Sequence, residues 1–219
     1  MHLLLVRHGE TEWNVQRRIQ GWTNSALTPL GEKQVSLLGK RLQYTPFAAA
    51  FVSDSVRTQQ TGKAALSDRD IPMFPLVDLR ETSWGNWEGK TAAEINAEEP
   101  ELWSRFVKRG HEDPDADQAD WEATTLVPGG ETIKQASDRI NGRITQIIRD
   151  YIETDHWILV VGHGGSLRFV ITALLKLRPA AAKQFHLDNA SLTHFSISPN
   201  RIVLKLLNDC SHWSESLTT

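Results

Sequence analysis

The sequence predicts an α/β fold, a three-layer sandwich in which a mostly parallel sheet carries helices on both faces. Two observations lead there. Short apolar runs such as Leu3–Val6 and Ile158–Val161 stop abruptly at glycines, the pattern of strands buried on both faces. Between such runs lie longer segments with apolar residues at helical spacing, so strand and helix alternate along the chain.

Residues 2–7 read as the first strand. Thr28-Pro29 opens a helix that reaches about Gln43, with the threonine hydroxyl as cap and proline at the first helical position. Residues 48–52 form a strand and 55–66 a helix capped by Asp54 or Ser55, and 72–80 hold one or two short extended pieces. Ile133, Ala136, Ile140, Ile144, Ile147, Ile148 and Tyr151 recur at helical spacing and define a long amphipathic helix. A strand over 157–161 and a helix over 167–177 follow. The chain closes as a hairpin, Ser191–Ile197 with Ile202–Leu207, across Ser198-Pro199-Asn200.

One region breaks the alternation. Residues 92–130 read as an inserted subregion, helical over Glu94–Lys108 apart from Pro100. Residues 110–126 then carry Glu112, Asp113, Asp115, Asp117, Asp120 and Glu122 with no lysine or arginine, ending at Pro128-Gly129-Gly130. A lid beside an active site and a solvated surface excursion both fit that composition.

With 219 residues and 40% hydrophobic content the chain can bury one substantial core, so 1–219 reads as a single domain containing the inserted subregion. A net charge of −3 shows no basic excess, which argues against nucleic acid as a partner. Cys210 is the single cysteine and cannot form an internal disulfide. Met1-His2 leads directly into the first strand, and no apolar run is long enough for a membrane span. The expectation is a cytoplasmic protein with no membrane partner.

Three strand ends carry candidate chemistry. The first strand runs into Arg7-His8-Gly9, a cation and an imidazole at the carboxyl edge of the sheet, where open α/β folds place ligands. The later strand ends in Gly162-His163-Gly164-Gly165, so His163 meets His8 if the two strands are neighbours. Gly164 and Gly165 then open a helix whose free N–H groups and positive dipole end favour an anion. Phe51-Val52-Ser53 leads into a helix with Arg57 in its first turn. Two guanidinium forks and two imidazoles suit a dianion, and the fork matches phosphate oxygens, so the expected ligand is a phosphoryl group.

Arg7-His8-Gly9-Glu10-Thr11 with Trp13-Asn14 resembles the opening signature of the histidine phosphatases, the phosphoglycerate mutase-like superfamily. Ser53–Thr61 resembles its second-arginine motif and Gly162-His163-Gly164-Gly165 its closing histidine. Leu79-Arg80-Glu81 with Trp84-Gly85-Asn86-Trp87-Glu88-Gly89 resembles the segment of its acidic proton donor. Gln20-Gly21-Trp22, Leu27–Gly31, Asn189 and Leu207-Asn208-Asp209 fit the same pattern, so the resemblance runs from residue 3 to about residue 212.

The resemblance implies a phosphoglycerate mutase-like fold and a metal-independent, cofactor-free phosphomonoester hydrolase acting on a small phosphorylated metabolite. His8 is then the nucleophile that becomes a phosphohistidine, and Arg7 and Arg57 clamp the nonbridging oxygens, with His163 and Asn14 sharing the charge. Glu81 protonates the departing alkoxide and afterwards activates water, with Glu10 and Glu88 as rival carboxylates for that role. Gln20, Gly21, Trp22, Trp84 and Gly164 are expected to line the substrate pocket. His2, His111, His156, His186, His194 and His212 read as structural or exposed.

Within the superfamily, Trp84–Gly89 resembles the phosphatase branch, which includes broad-specificity enzymes and enzymes acting on α-ribazole phosphate. Mutases follow their catalytic acid with a cation, whereas here Glu81 is followed by Thr82-Ser83-Trp84-Gly85. Arg105, Lys108 and Arg109 are the basic residues of the insertion that a mutase reading would need. A noncatalytic phosphate-binding module is the alternative from another class, set aside because a nucleophile and an acid are both present. The chain lacks the GxxxxGK[ST] of a P-loop enzyme and the G-x-S-x-G of a serine hydrolase, and His8 and His163 have no companions at metal-ligand spacing.

Overall fold

The computed structural model describes residues 1–67, 69–111 and 127–214. A six-stranded sheet runs through it in the order β3-β2-β4-β1-β5-β6. The strands are β1 (His2–Arg7), β2 (Phe47–Ser53), β3 (Met73–Leu76), β4 (Trp157–Gly162), β5 (Leu192–Ser198) and β6 (Arg201–Asp209). β1 pairs in parallel with β4, β4 with β2 and β2 with β3, while β5 runs antiparallel to β1 and to β6. The sheet is therefore mostly parallel, as the alternation of elements predicts.

The central strands are buried on both faces because each alternates its side chains between two cores. Leu3 and Leu5 of β1 and Ile158 and Val160 of β4 pack with Ala136, Ile140, Ile144 and Ile147 of the long helix and with Leu167 and Val170 of the helix after β4. Leu4, Val6, Leu159 and Val161 face the other way, against Leu38, Leu42 and Ala65. The helices on the first face are α6 (Ile133–Tyr151) and α7 (Gly164–Leu174); those on the second are α2 (Pro29–Leu42) and α3 (Val56–Leu66). At about 25 cal/mol per Å² of apolar surface, burial on two faces makes these strands the anchor of the fold.

Capping sets where the helices begin. The Thr28 hydroxyl accepts the Gly31 N–H at 2.9 Å, and Thr132 and Gln135 bond reciprocally at the start of α6. α7 starts at Gly164 rather than near residue 167, because the Ser166 hydroxyl accepts the His163 N–H at 2.9 Å and closes the turn early. The elements the sequence does not reveal are short: α1 (Glu12–Val15), α8 (Ser211–Ser214), single turns at 77–79 and 85–87 and two turns at 179–184. A helix of one turn carries too few residues to show a period.

In the inserted subregion, α4 (Ala92–Glu98) and α5 (Pro100–His111) divide at Pro100. Trp87, Ile95 and Val127 form a small separate core with Trp84, Trp103 and Phe106 packed against it. Residues 112–126, which hold nearly all of the acidic stretch and the expected lid, lie outside the described residues. Among the described residues no helix is long and apolar enough to cross a membrane.

Candidate active site

β1, β2 and β4 are parallel neighbours, so their carboxyl ends coincide, and His8, Ser53 and His163 meet there. The rings of His8 and His163 stand edge-on with centroids 5.3 Å apart. His8 is buried, and its Nδ1 lies 2.8 Å from the Gly9 carbonyl oxygen. A carbonyl can only accept, so the proton sits on Nδ1 and the Nε2 lone pair is free to act as a nucleophile. Asn189 Nδ2 donates to the His8 carbonyl at 3.0 Å, and the Thr61 hydroxyl accepts the Gly9 N–H at 3.1 Å, so the turn is fixed from two sides.

Arg57, only 1% exposed, donates to the carbonyls of Thr23 at 2.8 Å and Gly21 at 2.9 Å, and reaches His163 Nδ1 at 3.1 Å. A guanidinium can only donate, so His163 accepts through Nδ1 and its Nε2–H donates to the Ser53 hydroxyl at 2.9 Å. Arg7 donates to the Leu187 carbonyl at 2.5 Å and lies beside Gly164 at the start of α7. The Nε groups of both arginines are buried donors without a protein acceptor.

Burial lowers the proton affinity of all four groups. For His8 and His163 it acts together with the adjacent guanidinium of Arg57 to hold both imidazoles neutral, well below the ordinary imidazole range. Arg57 is lowered to about 10 by burial and Arg7 is lowered for the same reason, so both forks remain cationic at neutral pH. The arrangement sets two guanidinium groups beside two neutral imidazoles.

Glu81 reaches the same place from a segment without strand or regular helix. Its carboxylate accepts the Gly165 N–H at 2.7 Å and the Thr82 N–H at 2.8 Å. The acceptor seated at the N-terminal end of α7 is thus a side chain of the protein itself. A side chain at Gly165 would displace the Glu81 carboxylate, since its Cβ would crowd Glu81 Oε1. The rival carboxylates are engaged elsewhere. Glu10 accepts from the Thr28 hydroxyl at 2.7 Å. Glu88 accepts the N–H groups of Trp22, Thr23 and Trp84 at 3.0, 2.9 and 3.0 Å and the Thr23 hydroxyl at 2.6 Å.

The expected lining residues divide into two groups. Gly21 is at the site through its carbonyl, at a φ of +52° that favours glycine. Trp22 is 41% exposed and donates its indole N–H to the Glu81 carbonyl at 2.8 Å. Asn14 spends its amide oxygen on Thr11 and Asn189, which leaves its NH₂ as the group able to meet a ligand. Gln20 is buried with its amide nitrogen 2.8 Å from the Thr11 hydroxyl, so it supports the turn from behind. The Trp84 indole packs edge-on against Phe106, with centroids 5.5 Å apart, in the small aromatic core.

Sequence reasoning did not single out Ser53, Thr61, Arg139 or the Leu187 carbonyl. Ser53 carried a signal, a polar residue closing a strand that is otherwise apolar. Of the insertion's basic residues, Arg105 is exposed, and the side chains of Lys108 and Arg109 lie outside the described residues. Among the described residues no three His, Cys, Asp or Glu side chains converge as a metal-binding group.

Comparison with known proteins agrees with this geometry. The family model of the histidine phosphatase superfamily (branch 1) matches residues 3–210. A probable phosphoglycerate mutase GpmB of Salmonella choleraesuis is 29% identical over 97% of this chain and 94% of its own length. The adenosylcobalamin/alpha-ribazole phosphatase of Salmonella typhimurium is 28% identical over 97% and 98%. Among solved structures, a putative alpha-ribazole-5'-P phosphatase from Escherichia coli superposes with a TM-score of 0.84 at 27% identity, over 96% of this chain and 97% of that one. The order of the motifs, the sheet and the family match over residues 3–210 thus lead to one conclusion: the chain belongs to the histidine phosphatase superfamily.

Proposed function

We propose that this protein is a phosphomonoester hydrolase that works through a phosphohistidine on His8 and acts on a small phosphorylated metabolite. One observation carries the reading: His8 is held neutral, with Nδ1 tied to the Gly9 carbonyl, between two arginines whose buried Nε donors have no protein acceptor. His8 Nε2 attacks phosphorus in line, Arg7 and Arg57 hold the nonbridging oxygens, and the P–O bond to the leaving group breaks. Glu81, protonated for this step, gives its proton to the departing alkoxide. As the carboxylate it then takes a proton from water, which attacks the phosphohistidine and returns His8. The two guanidinium groups supply the positive charge that a metal ion provides in other phosphatases.

A mutase reading is favoured by the GpmB relative, and it requires cations to hold a second anionic group of the substrate. The arginines flanking Glu81 already have partners. Arg80 forms a fork-to-fork pair with Asp54 at 2.7 and 2.5 Å, and Arg139 does the same with Glu131 at 2.9 and 2.7 Å. Hydrolysis is therefore the reading adopted. The same reading places the enzyme in the cytoplasm, where a free thiol such as Cys210 stays reduced.

Rapid quench after brief incubation with substrate tests the nucleophile: an acid-labile, alkali-stable phosphoryl group mapping to His8 is expected. Supplying 3-phosphoglycerate with 2,3-bisphosphoglycerate tests the reaction class. Isomerisation that outruns phosphate release would overturn the hydrolase reading.

A further inference from the structure

We infer that Arg139, locked by Glu131, is a positioning residue that aims Glu81 at the leaving group. This rests on Glu81 being the acid of the proposed reaction. The segment that carries Glu81 has no ladder of its own: a single turn ends at Leu79, and residues 80–84 form neither strand nor helix. An acid on such a segment needs its backbone held from outside.

Arg139, on the flank of α6 that meets residues 78–81, supplies that hold with every donor it has. Its Nη1 donates to the carbonyls of Asp78 at 3.0 Å and Arg80 at 3.1 Å. Its Nη2 donates to the Glu81 carbonyl at 3.2 Å and to Glu131 Oε2 at 2.7 Å, and its Nε donates to Glu131 Oε1 at 2.9 Å. All five N–H bonds of the guanidinium are thereby used. Glu131 in turn accepts the Ser83 N–H at 2.9 Å, and the Ser83 carbonyl accepts the Glu131 N–H at 3.0 Å, so the segment is gripped on both sides of Glu81.

One helical turn further along α6, Arg143 pairs with the Asp78 carboxylate at 2.9 and 2.5 Å and anchors the beginning of the segment. The Glu81 backbone is therefore oriented by the long helix, whereas its carboxylate is oriented by α7. Arg139 touches neither nucleophile nor carboxylate. It acts through the peptide, and the property it controls is the direction of the acid. A displacement of about 1 Å at a reacting group is enough to cost roughly 10²-fold in rate.

The experiment compares kcat/KM for an alkyl phosphate, whose leaving group needs a proton, with that for p-nitrophenyl phosphate, whose leaving group does not. The ratio of the two is independent of how much of the enzyme is folded. Arg139→Ala is expected to lower the alkyl rate by about 10²-fold and the aryl rate far less. Arg139→Lys, which keeps the charge and some of the donors, is expected to fall between wild type and Arg139→Ala in the same ratio. Equal losses on the two substrates in both variants would overturn the inference and leave Arg139 a purely structural residue. Glu81→Gln is measured alongside. If it too loses both rates equally, the acid reading of Glu81 has failed; if it is selective while the Arg139 variants are not, only the positioning inference has failed.

Discussion

The two halves of the site are built in opposite ways. Arg7, His8 and His163 leave the ends of two adjacent strands, Arg57 sits in the first turn of the helix that follows a third, and all but the half-buried Arg7 are buried. Their positions follow from strand pairing, and their neighbours are close in sequence or in register. Glu81 sits on an irregular segment whose direction is set by side chains from far along the chain: Arg139, Glu131 and the Trp22 indole. In the proposed reaction the phosphoryl group is constant and its pocket is built into the sheet, whereas the acid must meet leaving groups that vary and sits on a segment held by supports from elsewhere in the chain.

The largest expected effect tests the rigid half. His8→Ala should abolish turnover, by about 10⁴-fold or more, with thermal stability close to wild type. Residual activity near the wild-type level would mean that the nucleophile lies elsewhere. Arg57→Lys comes next. A point charge cannot bridge Gly21, Thr23 and His163 while clamping an oxyanion, so kcat should fall by roughly 10²-fold. A smaller loss in kcat than in KM would assign Arg57 to ground-state binding.

A third prediction concerns pH. Burial holds His8 and His163 neutral in the folded protein, so as pH falls the unfolded chain takes up two protons that the native site refuses. Stability is then full above the ordinary imidazole value. It falls below that value by up to about 1.4 kcal/mol per pH unit for each histidine. Denaturant titrations across this range, compared with a His163→Asn variant, measure the slope. An unchanged slope in the variant would show that His163 titrates freely in the folded state.

Gly21→Ala probes the joint between the halves. The new Cβ would meet Glu88 Oε1 at 2.1 Å in a backbone conformation that favours glycine. A stability loss of roughly 1–3 kcal/mol is expected, with weaker phosphate binding as the Gly21 carbonyl leaves Arg57. Normal competitive inhibition by vanadate in this variant would separate the loop from the arginine. The smallest expected effect is none. Exhaustive chelation should leave the rate unchanged, and activity lost to chelation and restored by Mg²⁺ or Zn²⁺ would contradict a site run on guanidinium charge.

The sequence by itself determined the sheet and the meeting of Arg7, His8 and His163 at its edge. Apolar runs ending in Arg7-His8 and Gly162-His163 are local signals, and parallel pairing of buried strands brings their ends together without further information. Helix starts at Thr28 and Thr132 were legible for the same reason, since a cap acts within one turn. Only the tertiary structure decided the rest. That Arg139 faces residues 78–81, that Glu88 binds the Trp22–Thr23 backbone, and that Gln20 and Trp84 turn into supporting and packing positions all depend on how α6 and the loops lie against the sheet. The Arg139 and Glu88 contacts join residues tens of positions apart, a side chain in each case to backbone carbonyls or N–H groups. Every residue has a backbone carbonyl, so the sequence does not mark which ones accept, and their orientation is set only when the layers pack.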